Sequence, residues 1–317
     1  RRSSSAASDV YKRQEDLLPE TVVLERFVGR RVDTVETQDL IDRCDALLVR
    51  SITPVNESLL KNASPKFVGS TTIGTDHIDL KYLSRRGIPF ASAPGSNANA
   101  VVDYVAATLF SQFSLQELSG LLIGVIGVGN VGRRLCRCLN HFGLSYHTYD
   151  PWVDDESVLR PVSFNELLES SDVISIHVPY NHSGDHPTHH LINDANVDQL
   201  KSGALIINTS RGDVVDETAV IRRIERAQDI RMALDVWHGE PRIYCKSLNY
   251  ATVATPHIAG YSALGRQRAA AMVVDAMWRV LATQGDFGVS CRASTGDFVE
   301  QPLLCLLYTS PSPRDTG

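Results

Sequence analysis

The sequence predicts an α/β protein built on a doubly wound parallel sheet. Two observations carry this. Short apolar runs of strand character alternate with helical segments along most of the chain, and one such run, LLIGVIGVG (121–129), feeds directly into a helical segment. Alternating βα units of this kind pack helices on both faces of a parallel sheet.

Taken in order, ALLVR (46–50) and KFVGS (66–70) read as short buried strands, with SLLKNA (58–63) helical between them. GIPFASAP (87–94) is a strand entering a turn. NANAVVDYVAATLFSQFSLQ (97–116) is apolar on a helical period and free of Pro and Gly, so it predicts one long helix. NVGRRLCRCLNHFG (130–143) predicts a helix that Gly143 can cap. SYHTYD, DVISIHVP, ALIINTS, IRMALDVW and ATVATPH supply five more strands, spaced by helices such as FNELLESS and ETAVIRRIERA.

Composition narrows the function classes. At 317 residues and 43% hydrophobic, the chain can bury two ordinary domains. A net charge of -6 argues against a general nucleic-acid or membrane-surface binder. The apolar stretch near Leu121 is broken by glycines and falls short of the roughly 20 residues of a spanning helix. The six cysteines show no C-x-x-C spacing and no disulfide framework, which points to a reducing cytoplasm.

The glycine turn is Gly127-Val128-Gly129-Asn130-Val131-Gly132. Alone such a motif is weak, but here it follows a strand and opens a helix. Gly127 allows the tight turn, Gly129 lets backbone approach a pyrophosphate, and Gly132 lets helix and strand pack closely. Asp150 ends the next strand about 20 residues on, where a carboxylate binds a ribose 2′-hydroxyl and repels a 2′-phosphate. The expected cofactor is therefore NAD rather than NADP.

Three further residues follow strand-like runs: Arg211, Glu240 and His257. An arginine fork suits a substrate carboxylate, although a surface ion pair with Asp213 or Asp216 is the plainer reading of Arg211 alone. A carboxylate beside an imidazole orients it and favours its protonated form, so Glu240 and His257 together can exchange an alcohol proton. His238 competes with His257 but lies in the DVWHGEP turn, where a solvent-facing position is as good a reading. His177, His182, His186, His189 and His190 crowd one stretch, yet their spacing fits no ordered metal site, and a solvated loop near the cofactor is expected instead.

The runs LKSGALIINTSRGDVVDETAV, VIGVGNVGRRL, DVWHGEP and TPHIAGYS resemble the D-isomer-specific 2-hydroxyacid dehydrogenase family. LLVRSITPVNESLL, VGSTTIGTDHID, GSNANAVVDYV and HPTHHLI resemble the branch acting on a phosphorylated four-carbon acid. The resemblance implies a Rossmann NAD domain over 95–261 and a smaller flavodoxin-like α/β substrate domain over 15–94, with 262–302 returning a helix to the latter. It implies that His257 is the proton donor and acceptor, that Glu240 assists it, and that Arg211 binds and polarises the substrate. Gly127, Gly129, Asn130, Val131, Gly132, Asp150, Asp235 and Gly260 would hold NAD. Ser51, Thr72 and Tyr261 would contact substrate.

The implied reaction is NAD-dependent oxidation of 4-phospho-D-erythronate on the route to pyridoxal 5′-phosphate. Oxidation of 3-phosphoglycerate or glycerate, or NADH sensing without catalysis, are the rival readings. The family's first strand and the branch's C-terminal dimerisation domain have no counterpart here, so an incomplete edge of the smaller sheet and a weakened homodimer are expected. The DVYKRQ and LLYTSPSPRD strings resemble translated adaptor sequence. Residues 1–14 and 303–317 are accordingly expected to lie outside the fold, with the native portion spanning Glu15 to Pro302.

Overall fold

A computed structural model describes residues 23–28, 35–51, 53–153, 159–283 and 303–308. The chain divides into two compact units, one of residues 1–97 with 263–317, the other of residues 98–262. The expected tail at 1–14 lies outside the described residues.

The second unit holds a six-stranded parallel sheet. Its strands are β5 (Leu122–Ile126), β6 (Ser145–Tyr149), β7 (Val173–Ile176), β8 (Leu205–Asn208), β9 (Arg231–Leu234) and β10 (Ala251–Ala254), in the order β10-β9-β8-β7-β5-β6. β5, β7 and β8 are apolar almost throughout because both faces are covered. Ile126, Ile174, Ile176, Ile206 and Leu234 pack into one core layer, and Ile123, Val125, Val173, Leu205 and Ile207 into the other. β5 pairs with both β6 and β7, so chain direction across the sheet reverses there. Ligands of such sheets bind outside the carboxyl ends of the strands at that reversal.

Helices α3 (Ala98–Gln112), α4 (Leu115–Leu118), α5 (Asn130–His141), α6 (Phe164–Ser170), α7 (Glu217–Ala227) and α8 (Cys245–Tyr250) surround this sheet. The single helix expected over 97–116 is broken at Phe113. Ser114 starts a new turn, with its Oγ accepting from the Glu117 amide while the Glu117 carboxylate accepts from the Ser114 amide. That reciprocal capping box outcompetes continuation of the helix. At the end of α5, Gly143 takes a φ of 67° as the cap expected there.

The first unit holds β1 (Val23–Val28), β2 (Ala46–Val49), β3 (Phe67–Ser70), β4 (Phe90–Ala91) and β11 (Leu303–Tyr308). Helices α1 (Val35–Arg43), α2 (Leu80–Arg85) and α9 (Ala263–Thr283) complete it. Leu47, Val49 and Val68 face one layer with Ile41 and Leu83, while Ala46, Leu48 and Phe67 face α9 through Val273 and Met277. The SLLKNA segment is a turn, not a helix. Asn56 accepts the Leu59 amide through its side chain, and six residues leave no room for a second turn before Pro65.

Two expectations for this unit are corrected. Leu303–Tyr308, expected outside the fold, is a strand. It runs parallel to both neighbours, pairing Val23 with Leu303 and Ala46 with Leu304, in the order β1-β11-β2-β3-β4. The expected incomplete edge is instead occupied by β1, and β11 fills the position between β1 and β2. The physical reason is backbone satisfaction: with β11 between them, β1 and β2 each gain a hydrogen-bonded partner along a facing side.

Candidate active site

The glycine turn sits at the reversal point of the larger sheet. Gly127 ends β5 with a φ of 87°, and a Cβ there would lie 2.6 Å from the His177 carbonyl oxygen that follows β7. A Cβ on Gly132 would overlap the Gly127 carbonyl, so α5 can pack this closely only on glycine. Gly129 faces open space, and it caps α5 with no side chain bonded to the first turn. The amides at Asn130 and Val131 thus open a helix N-terminus whose dipole favours an anion, which fits a pyrophosphate. Asp150 follows β6. Its Oδ2 accepts the Val128 amide at 2.9 Å and its Oδ1 the Trp152 amide at 3.0 Å, tying the glycine turn to the neighbouring strand end.

Arg211, Glu240 and His257 all leave the same carboxyl edge, after β8, β9 and β10. The turn after β8 is fixed by Asn208, whose Nδ2 donates to the Arg211 carbonyl at 2.9 Å and whose Oδ1 accepts the Ser210 amide and hydroxyl. Gly212 lets this turn press against the Trp237 backbone, which a Cβ would overlap. Glu240 accepts the Trp237 amide on Oε1 at 2.6 Å and meets His257 Nδ1 with Oε2 at 2.8 Å. Nδ1 is thereby engaged and Nε2 is left for chemistry. The Glu240 hydrogen bond holds the His257 imidazole above its usual pKa. Burial opposes it, the charge of Asp235 adds to it, and nearby Arg211 works against it. A half-exposed imidazole with an orienting carboxylate and an adjacent guanidinium can accept a hydroxyl proton beside a bound carboxylate.

Asp235 follows β9, is 1% exposed, and has both its oxygens engaged by its own protein. Oδ1 accepts the Thr255 hydroxyl at 2.6 Å and the Ile258 amide at 2.7 Å, while Oδ2 accepts the Ala259 amide at 2.8 Å. A buried carboxylate needs such donors, and with them it holds the 255–259 loop. Gly260 follows that loop, partly buried. Tyr261 is 59% exposed, with its amide donating to the Ile258 carbonyl.

Ser51 and Thr72 lie in the first unit, after the paired strands β2 and β3. Ser51 is exposed in a turn. The Thr72 hydroxyl bonds Ser70 Oγ at 2.7 Å and donates to the Gly74 carbonyl, and Ser70 Oγ also meets His77 Nε2 at 3.0 Å. This Ser70–Thr72–His77 cluster falls within the VGSTTIGTDHID run (68–79).

The remaining histidines separate in character. His238 is paired with Asp213, which raises its pKa, and most of its side chain is exposed. His177 bonds Ser175 Oγ at 2.8 Å, and burial pushes it down to about 3, so it stays neutral. His182, His189 and His190 stack face to face. Among the described residues no group of three His, Cys, Asp or Glu side chains is arranged to hold a metal ion, and no helix is long and apolar enough to cross a membrane.

Residues 97–259 match the NAD binding domain of the D-isomer specific 2-hydroxyacid dehydrogenases. The chain belongs to that family. The erythronate-4-phosphate dehydrogenase of Pseudomonas putida is 43% identical over 91% of this chain and 74% of its own length. That of Shewanella amazonensis is 44% identical over 80% of this chain and 68% of its own. The D-lactate dehydrogenase of Aquifex aeolicus, solved with NAD and lactic acid, superposes with a TM-score of 0.73 at 25% identity, covering 90% of this chain and 95% of that one. As a member of this family the chain is an NAD-dependent oxidoreductase.

Proposed function

We propose that this dehydrogenase oxidises 4-phospho-D-erythronate to 3-hydroxy-2-oxo-4-phosphobutanoate, a step toward pyridoxal 5′-phosphate. The observation that carries the reading is the His257–Glu240 pair at 2.8 Å, with Arg211 close enough to oppose the charge on the imidazole. The substrate assignment is supported by the names of the relatives at 43% and 44% identity.

In this mechanism Gly129, Asn130, Val131 and Asp150 hold the dinucleotide. NAD bound there would supply the hydride acceptor for C2. Arg211 grips the substrate carboxylate in a forked contact and stabilises charge on the C2 oxygen as it becomes a carbonyl. His257 takes the C2 hydroxyl proton on Nε2, and Glu240 stabilises the imidazolium that results. Ser51, Thr72 and Tyr261 are proposed substrate contacts, as the family resemblance implies. A reducing cytoplasm is the proposed compartment, consistent with free thiols at Cys44, Cys136, Cys138 and Cys245.

Purified protein assayed for NADH formation across 4-phosphoerythronate, 3-phosphoglycerate and glycerate tests the substrate. A kcat/KM for 4-phosphoerythronate at least about a hundredfold above glycerate is expected, since a site built for a phosphate rejects the acid that lacks one, and about tenfold or more above 3-phosphoglycerate, which is one carbon shorter. A preference for 3-phosphoglycerate would replace the assignment, and NAD binding with no turnover on any acid would remove it.

A further inference from the structure

We propose that Tyr104 and Thr255 are positioning residues for the proton carrier: their hydroxyls form a relay that fixes Asp235 and, through it, the loop bearing His257. The proposal rests on His257 being that carrier.

The direction of each hydrogen bond follows from proton counting. A threonine hydroxyl has one hydrogen and two lone pairs. Thr255 donates its hydrogen to Asp235 Oδ1 at 2.6 Å. The 2.7 Å contact between Tyr104 Oη and Thr255 Oγ1 must therefore run from Tyr104 to Thr255. The phenol remains a donor, because burial, with the charge of Asp235, keeps its pKa up. Such chains polarise one another, so each bond strengthens the next.

Asp235 is the hub. Beyond the Thr255 hydroxyl it gathers the Ile258 and Ala259 amides on its carboxylate, and its main-chain carbonyl takes the His257 amide at 2.7 Å. The Thr255 carbonyl accepts the Trp237 indole at 2.9 Å. This strap encloses His257, whose φ of 55° is a left-handed conformation that a side chain with a Cβ disfavours. A residue kept there is over-determined by its surroundings, and here the surroundings are the relay. The anchor at the far end is α3, whose Val101 and Val105 are buried on either side of Tyr104. The charged groups acting on His257 are Glu240, Asp235 and Arg211.

The relay is tested on the full chain with ¹⁵N-histidine labelling, the His257 signal being assigned by its loss in His257→Ala. Imidazole titration, kcat and the KM for NAD are measured in Thr255→Val, Thr255→Ser and Tyr104→Phe, each of which changes volume little. In Thr255→Val the His257 pKa is expected to fall toward the ordinary value of about 6.5, and kcat to fall about tenfold or more, with the KM for NAD within about twofold. Thr255→Ser, which keeps the hydroxyl, restores both, and Tyr104→Phe moves both in the same direction by less. Wild-type titration and kcat in Thr255→Val would overturn the relay. So would equal impairment of Thr255→Val and Thr255→Ser, which would assign the position to packing alone. If the wild-type protein oxidises no acid, the proton-carrier reading fails, while the His257 titration still decides whether the relay holds the loop.

Discussion

The two parallel sheets follow the same packing rule but are assembled from different distances along the chain. In the larger sheet the strands come from one continuous stretch between Leu122 and Ala254, and the helices joining them cover both faces. In the smaller sheet the strand between β1 and β2 arrives from Leu303–Tyr308, and α9 also comes from beyond the larger unit. A sheet closed by local βα units sets its own register and places its ligand edge by topology. A sheet completed from the far end of the chain depends on a non-local pairing whose loop-closure entropy must first be met.

The largest expected effect comes from breaking that difference directly. Ending the chain before Leu303 removes β11 and exposes the facing edges of β1 and β2. Amide exchange in β2 and β3 should accelerate by about a hundredfold or more, while NAD affinity stays the same because the glycine turn lies in the other unit. Unchanged protection of β2 and β3 would show that β11 is dispensable to the sheet.

The larger sheet can be broken at its reversal point. Gly127→Ala forces a Cβ against the His177 carbonyl at a φ of 87°. The positive φ alone costs about 1–2 kcal/mol, and displacement of the turn should weaken NAD binding about tenfold or more. Fluorescence titration with NAD checks this, and wild-type affinity would contradict the close packing of β5 against β7.

A smaller shift is expected at Glu240. Its hydrogen bond raises the folded-state pKa of His257, so the pair's contribution to stability is present at low pH and lost as pH rises through that raised value. Oxidation needs the neutral imidazole, so the acid limb of kcat/KM should follow the same pKa. Glu240→Gln should move that limb toward lower pH. A limb that stays in place would assign it to another group.

What the sequence made legible follows the same divide. The strands of the larger sheet, the glycine turn and the helix it opens are short-range patterns, and each is where its pattern puts it. Arg211, Glu240 and His257 could be singled out because each ends a strand-like run before a turn, and Glu240 and His257 are in contact in the structure. LLCLLY was not legible as a strand, since it follows no strand period and runs into the LLYTSPSPRD string that resembles adaptor sequence. The break at Ser114 was missed because a capping box competes with an uninterrupted apolar period. Tyr104 left no trace either: its partner Thr255 is 151 residues away, and in sequence it is one more apolar position of α3. Asp235 was legible only through the family resemblance, and which way its oxygens turn depends on the loop that returns to it.

The central claim is that His257 carries the proton in a site whose dinucleotide half is built separately by the glycine turn. The most direct measurement is turnover of 4-phosphoerythronate by His257→Ala alongside NAD binding by the same preparation. Turnover should fall by about 10²–10⁴-fold, with NAD affinity within about twofold of wild type. Retained turnover in His257→Ala would contradict the account.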